Sequence, residues 1–521
     1  MKIVTAAQMV AIEQASERAG VSTDVLMENA GLAVAQTSRD LVGAAGVRIA
    51  VLVGPGNNGA DGLVAGRHLS RWGAEVVCFL VTERPETDPK LNLAIEYGVR
   101  IIKSGSTQNM ERFLGRSDLV IDAILGTGWS RPLEGPVLET IVSLTAARKG
   151  PNSPKLLALD LPTGLNSDTG DVDYSAVPCD ITLALGYPKA GLLNFPGAEL
   201  AGELRVLDIG IPNGLKEEAD IQLESLDGSW VARHLPKRPL DSHKGTFGHA
   251  LVIAGSRNYV GAAYLASQAS VRAGAGLTTL ASPESVYPIA AAKSTEPIHL
   301  PLLEDKEGRV GNLAAQILRQ GSRQYTNVLV GCGLGLSTGT VEFLEDLLFH
   351  QDSSGISKLP TLVDADGLNN LACIENWAQR PRGPLVLTPH PGEMATLADL
   401  PTNEIQRDRA GVVKEYAARW NVTVVLKGAN TVIGQPDGAV RVASFANPGL
   451  ATGGTGDVLS GVIAGLMAQG LEPAVAANCA VYLHGDAGRE IASALGNTGM
   501  AASDLLPQIP SALRRLSREL L

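Results

Sequence analysis

Two rhythms of apolar residues alternate along this chain. Near-continuous apolar runs predict buried strands at 48–53, 75–81, 119–122, 156–160 and 181–184. Between the runs, apolar residues recur every three or four positions, the period of a helix with one buried face. Thr5-Ala6-Ala7-Gln8 reads as a capping box opening a first helix to about residue 19, with further helices predicted over 23–41 and 60–72. Apolar strands separated by helices predict a parallel sheet covered on both faces. The alternation breaks at 211–241, where Pro212, Gly214, a charged cluster at 216–220, Pro236 and Pro239 interrupt it. A second series then predicts strands at 249–254, 276–281, 327–330, 361–364, 384–388 and 422–427, and helices at 261–273, 338–349, 403–420, 456–469 and 473–495. The pattern therefore reads as two α/β domains, residues 1–225 and 226–521.

Length agrees, since 521 residues exceed what one hydrophobic core supports. The 58 glycines and 4% aromatics suit many tight strand-to-helix turns. A net charge of −11 argues against nucleic acid or an anionic membrane surface as a bulk partner. The five cysteines are scattered without C-x-x-C spacing, so neither a zinc site nor a disulfide framework is expected, and Cys78 in its apolar run reads as a buried thiol. No run is long and apolar enough to span a bilayer, and no apolar signal segment precedes the first helix. The expectation is a cytoplasmic homo-oligomer acting on small molecules.

The candidate chemistry of the second half starts at Gly453-Gly454-Thr455-Gly456-Asp457, a glycine-rich turn opening an amphipathic helix. The first amides of a helix lack internal partners and carry the positive end of its dipole, so such a turn binds anions. Asp457 makes sense there as a base for a hydroxyl that attacks phosphate. A tight turn with an acidic capping residue is the alternative. Lys427-Gly428-Ala429-Asn430-Thr431 ends a predicted strand and can hold a nucleotide's phosphates and sugar. Pro389-His390-Pro391-Gly392-Glu393 is a stiff loop that aims His390 and Glu393. Gly331-Cys332-Gly333-Leu334-Gly335 and Gly261-Ala262-Ala263 add close-approach turns. No P-loop motif is present.

In the first half, Gly54-Pro55-Gly56-Asn57-Asn58-Gly59-Ala60-Asp61-Gly62 follows a strand and opens a helix, again a phosphate-cradling layout. Asp122 with Gly126-Thr127-Gly128, and Asp160-Leu161-Pro162-Thr163-Gly164, leave two more strands at their carboxyl ends. Asn58, Asp122 and Thr163 offer only oxygen ligands, a set that suits a hard cation.

The second-half motifs, with His243-Lys244-Gly245-Thr246-Phe247-Gly248, together resemble the NAD(P)H-hydrate dehydratases of the ribokinase-like superfamily over about residues 226–510. The resemblance implies a ribokinase-like αβα domain that phosphorylates the hydroxyl of hydrated NADH or NADPH, with ADP as co-substrate and Mg²⁺ bridging phosphate oxygens. Asp457 would be the base. Lys427, Gly428, Ala429, Asn430, Thr431 and Gly456 would bind ADP. Ala262, Gly333 and His390 would contact the hydrated dinucleotide. Residues 1–215 resemble the NAD(P)H-hydrate epimerase domain, which implies a Rossmann-like three-layer αβα sandwich. There Asn58, Asp122 and Thr163 would hold K⁺. Asn57, Asn58, Gly59, Ala60, Asp61, Gly126, Thr127, Gly128, Trp129, Ser130, Arg131, Pro132 and Asp160 would bind substrate, Asp160 being the candidate acid/base. Two departures stand out: Ala60 where a glycine is usual, and Thr163 where serine is common. A methyl at position 60 would tighten the phosphate contact, and Thr163 keeps the hydroxyl.

Two rivals remain from sequence: a ribokinase-like kinase for a vitamin precursor, and a first half that keeps the fold as a non-catalytic binding module.

Overall fold

The structure is a computed structural model; it describes residues 1–103, 107–129, 131–321, 324–351 and 353–518. The chain divides into two compact units, Met1–Gln222 and Leu223–Leu521.

The first unit is built on seven strands: β1 Arg48–Val53, β2 Glu75–Leu80, β3 Arg100–Lys103, β4 Leu119–Ala123, β5 Lys155–Leu159, β6 Ile181–Leu185 and β7 Glu203–Leu207. They form one sheet in the order β3-β2-β1-β4-β5-β6-β7, and every pairing is parallel. Side chains alternate across a strand, so β1 sends Ile49, Val51 and Val53 into one core and Ala50 and Leu52 into another. The helices Ala6–Arg18, Thr23–Val42 and Asn57–Arg71 cover the first face through Met9, Ile12, Leu26, Val34 and Leu63. Gly135–Lys149 covers the other through Ile141 and Leu144. The result is a Rossmann-like three-layer sandwich. The winding direction reverses between β1 and β4, and the crevice beyond their carboxyl ends is where such sheets take ligands.

The second unit has ten strands: β8 Leu223–Ser225, β9 His249–Ile253, β10 Leu277–Pro283, β11 Ile298–Leu302, β12 Asn327–Val330, β13 Thr361–Val363, β14 Leu385–Leu387, β15 Thr423–Leu426, β16 Thr431–Gly434 and β17 Val440–Ala443. Their order is β11-β10-β9-β12-β13-β14-β15-β16-β17-β8. The strands from β11 to β15 are parallel; β16 and β17 form an antiparallel hairpin, and β8 runs parallel to β17. Here the switch point lies between β9 and β12. On one face the helices Val260–Ala273, Thr455–Ala468, Pro473–Leu495 and Ala502–Arg518 pack over Val252, Leu329, Leu362, Val386 and Val425. This is the ribokinase-like αβα arrangement.

Several expectations shift. The third helix begins at Asn57, not 60, so the asparagine loop is already the first helical turn. The single helix expected over 403–420 is two, Thr402–Arg407 and Arg409–Trp420. Asp408 separates them, leaving helical geometry at φ −138°, ψ 67° and accepting the Gly411 amide at 2.8 Å as a cap. Strands β3, β7, β8, β11, β16 and β17 were not expected at all. No helix among the described residues is long and apolar enough to cross a membrane.

Candidate functional sites

In the first unit, loops after β1, β4, β5 and β6 meet the helix Ala6–Arg18 around a cavity of about 520 Å³. Gly54 has no room for a side chain, because a Cβ there would lie 1.8 Å from the Ile124 carbonyl oxygen. Arg84 fixes this loop from behind: its Nη1 donates to the carbonyls of Gly54 at 2.5 Å and Gly56 at 3.2 Å, while Nε donates to Asp88 at 2.8 Å. Asn57, Asn58, Asp61, Gly126, Thr127, Gly128, Trp129 and Asp160 line the cavity. Gly59 and Ala60 are not among the lining residues; a Cβ on Gly59 would meet the Gly54 carbonyl at 2.1 Å, and the Ala60 methyl is buried at the start of the helix. Arg131 and Pro132 are exposed and also stand off the cavity wall, and Ser130 lies outside the described residues.

Asp122 is buried and takes three hydrogen bonds, all from neutral donors: the Thr163 hydroxyl at 2.7 Å, the Thr163 amide at 2.8 Å and the Ile124 amide at 3.2 Å. Burial pushes its carboxyl above the usual range, and those hydrogen bonds oppose the shift. No Lys or Arg pairs with it among the described residues. Asn58 joins the group through its side-chain amide, which donates to the Leu125 carbonyl at 3.2 Å, and the Leu125 amide donates to the Thr163 hydroxyl at 3.2 Å. A buried carboxylate with only neutral partners, ringed by further oxygens, fits a hard cation.

Asp160 sits at the end of β5 with φ 64°, a left-handed conformation unusual for a side-chain-bearing residue. The Leu161 amide closes a tight three-residue turn onto the Leu159 carbonyl at 2.8 Å. That turn aims the Asp160 carboxylate at the fully buried Lys189, which forms a short salt bridge with it, and the Leu185 amide adds a bond at 3.0 Å. Lys189 is a site residue that sequence reasoning missed. Only its position after a strand, within Gly186-Tyr187-Pro188-Lys189, could have signalled it.

In the second unit the glycine turn opens the helix Thr455–Ala468, with Gly454 as its left-handed cap at φ 94°. Two more glycines on this helix, Gly461 and Gly465, lie one turn apart. Cβ atoms there would come within 2.2 Å of the Ala266 carbonyl and 2.5 Å of the Ser270 carbonyl. Their absence lets the helix press against Val260–Ala273, which carries Ala262. Gly333, at φ 63°, packs on the same helix: a Cβ would fall 2.9 Å from that of Ala262.

Asp457 stands beside a buried charge network. Lys427 donates to Asp364 at 2.7 Å and lies 3.6 Å from Glu393; Ser460 donates to the other Asp364 oxygen at 2.7 Å. Lys427 holds the Asp364 carboxyl below its ordinary value despite burial. Burial first, then the Asp364 charge, pushes Asp457 up to about 6. Lys427 therefore faces inward, toward Gly456, where a Cβ would sit 3.5 Å from its Nζ. Gly428 and Ala429 are exposed, Asn430 is buried at φ 53°, and the Thr431 hydroxyl donates to the Gly428 carbonyl at 2.9 Å. His390 caps the helix Pro391–Ala398 by accepting the Gly392 and Glu393 amides, and its ring stays largely exposed. Asp364 and Ser460 were not singled out in the sequence; Ser460 follows Asp457 by three residues, which puts both on one helix face.

Cys332, Asp364 and Asp457 bring potential ligand atoms within 4.8 Å of one another. A thiol is a poor Mg²⁺ ligand and Asp364 is committed to Lys427 and Ser460, so this trio does not fit a protein-held Mg²⁺.

Comparison with known proteins addresses both halves. Residues 250–511 match the family model described as NAD(P)H-hydrate dehydratase, and residues 23–191 match that of the YjeF-related protein N-terminus. The bifunctional NAD(P)H-hydrate repair enzyme of Moorella thermoacetica is 40% identical, covering 100% of this chain and 98% of that protein. The enzyme of the same description from Thermofilum pendens is 37% identical, covering 100% and 97%. Among solved structures, the ADP/ATP-dependent NAD(P)H-hydrate dehydratase from Bacillus subtilis, co-crystallized with ATP/Mg²⁺, is 31% identical over 56% of this chain and 98% of its own, with a TM-score of 0.48. The chain belongs to the family of bifunctional NAD(P)H-hydrate repair enzymes.

Proposed function

We propose that this enzyme restores hydrated NADH and NADPH: residues 1–225 interconvert the R and S hydrates, and residues 226–521 dehydrate the S form with ADP, yielding NAD(P)H, AMP and phosphate. The observation that carries the reading is Asp457, a carboxyl raised to about 6 at the mouth of a glycine-lined helix N-terminus. Near neutral pH it is largely ionised, yet basic enough to accept a hydroxyl proton.

The substrate hydroxyl attacks the terminal phosphorus of ADP and gives its proton to Asp457; AMP departs. Phosphate then leaves with the electrons of the ring C–O bond as the ring nitrogen lone pair forms a C=N⁺ bond. Loss of a proton from the neighbouring carbon restores the reduced nicotinamide. The Gly456 amide and its neighbours, at the positive helix end, stabilise charge on the transferring phosphate. Mg²⁺ entering with the nucleotide would supply neutralisation of phosphate charge. Lys427, held by Asp364 and Glu393, presents positive charge from below, and the 427–431 turn holds the nucleotide. Ala262, Gly333 and His390 contact the dinucleotide. In the first unit, Asn58, Asp122 and Thr163 would hold K⁺, which would supply a fixed positive charge, and Asp160 acts as acid/base.

The vitamin-kinase reading accounts for neither the full-length relatives nor the first unit. The experiment is repair of separated hydrate epimers with ADP and ATP compared. Return of NADH absorbance with release of AMP supports the proposal; accumulation of a stable phosphorylated product defeats it.

A further inference from the structure

The first unit's cavity contains a carboxyl that the reading above leaves idle. Glu13 extends from the helix Ala6–Arg18, and with Met9 and Val10, one turn earlier, it lines the cavity wall. The flanking positions Met9, Ile12 and Ser16 of that helix are buried against the core. Glu13 is half-buried and makes no hydrogen bond or ion pair with a described residue. Asp160 enters the same cavity from the end of β5, tied to Lys189 and the Leu185 amide through Oδ1, which leaves Oδ2 for a ligand. The charged groups facing Glu13 are Asp160 and Lys189, with Asp61 behind them. Three carboxyls thus cluster around Lys189, with Lys90 also acting on Asp61, and close carboxylates cannot all ionise. Burial raises Glu13, and the Asp160 charge adds to this against the pull of Lys189; burial raises Asp61 well above the ordinary range. Two carboxyls in one cavity with unlike surroundings form a natural acid and base.

We propose that Glu13 is the second catalytic acid–base group of the epimerase site, serving one configuration of the hydrated carbon while Asp160 serves the other. The inference rests on the epimerase reading of this cavity. Glu13 as the acid donates a proton to the ring hydroxyl. The C–O bond breaks, its electron pair leaves with water, and the ring nitrogen lone pair forms C=N⁺. Water adds to the other face, the C=N⁺ π pair returns to nitrogen, and Asp160 takes the proton of the entering water. One water leaves, one enters, and one proton passes from Glu13 to Asp160; the opposite conversion returns it.

The test uses the full-length protein, separated hydrate epimers and a pH profile of interconversion in each direction. Glu13→Gln should slow both directions about a hundredfold, the low end for loss of a general acid–base group. KM for the hydrate should stay within threefold and ADP-dependent dehydration should be unchanged. The wild-type profile should fall at alkaline pH as the acid deprotonates, and the variant should lack that limb. Glu13→Asp, which keeps a carboxyl, should recover part of the rate and the limb. Interconversion by Glu13→Gln within threefold of wild type, or a loss confined to KM with the pH profile intact, overturns the proposal while leaving the epimerase reading in place. Failure of the wild-type protein to interconvert the epimers overturns both.

Discussion

Asp457→Asn should abolish dehydration and stabilise the fold at the same time. The carboxyl is raised from 3.8 to about 6, so the folded chain carries an ionised group it would rather protonate. At about 1.4 kcal/mol per unit, the ionised side chain destabilises the fold by up to roughly 3 kcal/mol above pH 6. Asparagine still buries a polar amide, and its desolvation and unmade hydrogen bonds leave an expected gain of about 1–2 kcal/mol. With roughly 2–4 °C per kcal/mol for a large domain, the second unit's unfolding midpoint should rise by about 2–8 °C at pH 8. The sign follows from which state holds the proton. Below 3.8 both folded and unfolded chains are protonated there and asparagine has no advantage; between 3.8 and about 6 the advantage grows, and above 6 it is complete. Calorimetry at pH 4 and pH 8 measures it, alongside an NADH-recovery assay expected to fall at least about a hundredfold. In the wild type, turnover should decline as pH drops through 6. An equal midpoint shift at both pH values, or a lower midpoint at pH 8, would show that burial of charge is not what raises this group.

Lys427→Met should weaken nucleotide use and destabilise the second unit by roughly 3–5 kcal/mol, since it strands the buried Asp364 carboxylate; urea unfolding tests this, and a loss below about 1 kcal/mol refutes it. Gly461→Ala places a methyl 2.2 Å from the Ala266 carbonyl and should cost about 1–3 kcal/mol, with a raised KM for the hydrate as the Ala262 helix is pushed away. Thr163→Val removes the hydroxyl that bridges Asp122 and the Leu125 amide, so epimerisation should become slow and indifferent to exchange of K⁺ for Na⁺, whereas Thr163→Ser should keep the K⁺ response.

What the sequence conveyed depended on where each residue sits in the sheets. Central strands such as β1, β4, β9 and β12 are apolar on both faces and were visible as unbroken runs. The unseen strands β3, β7, β8 and β11 are edges, where half-exposed positions such as Arg100, Lys103, Glu203 and Arg205 break the run. The hairpin β16–β17 is short and interrupted by Gly434 and Gly438, which hid it too. Asp408 concealed a helix break because a capping aspartate inside an amphipathic pattern looks like any surface residue. At the sites, glycines and aspartates at strand ends announced themselves through their spacing. Lys189, Asp364 and Arg84 did not, because each acts through a partner distant in sequence: Asp160 for Lys189, Lys427 for Asp364 and the Gly54 carbonyl for Arg84.

The backbone around Lys189 is anchored by residues made long before it. The Val4 amide donates to the Pro188 carbonyl and the Ala190 amide to the Val4 carbonyl, each at 3.0 Å, while the Ala6 amide reaches Asp168 at 2.7 Å. Ribosomes add roughly 5–20 residues per second, so residues 3–6 wait on the order of ten to forty seconds for these partners to emerge. During that interval the segment before the Glu13 helix lacks these backbone partners, and the Lys189 side of the pocket is missing. A chain stalled before residue 188 would display most of a nucleotide-type sheet and yet be catalytically mute in its leading half.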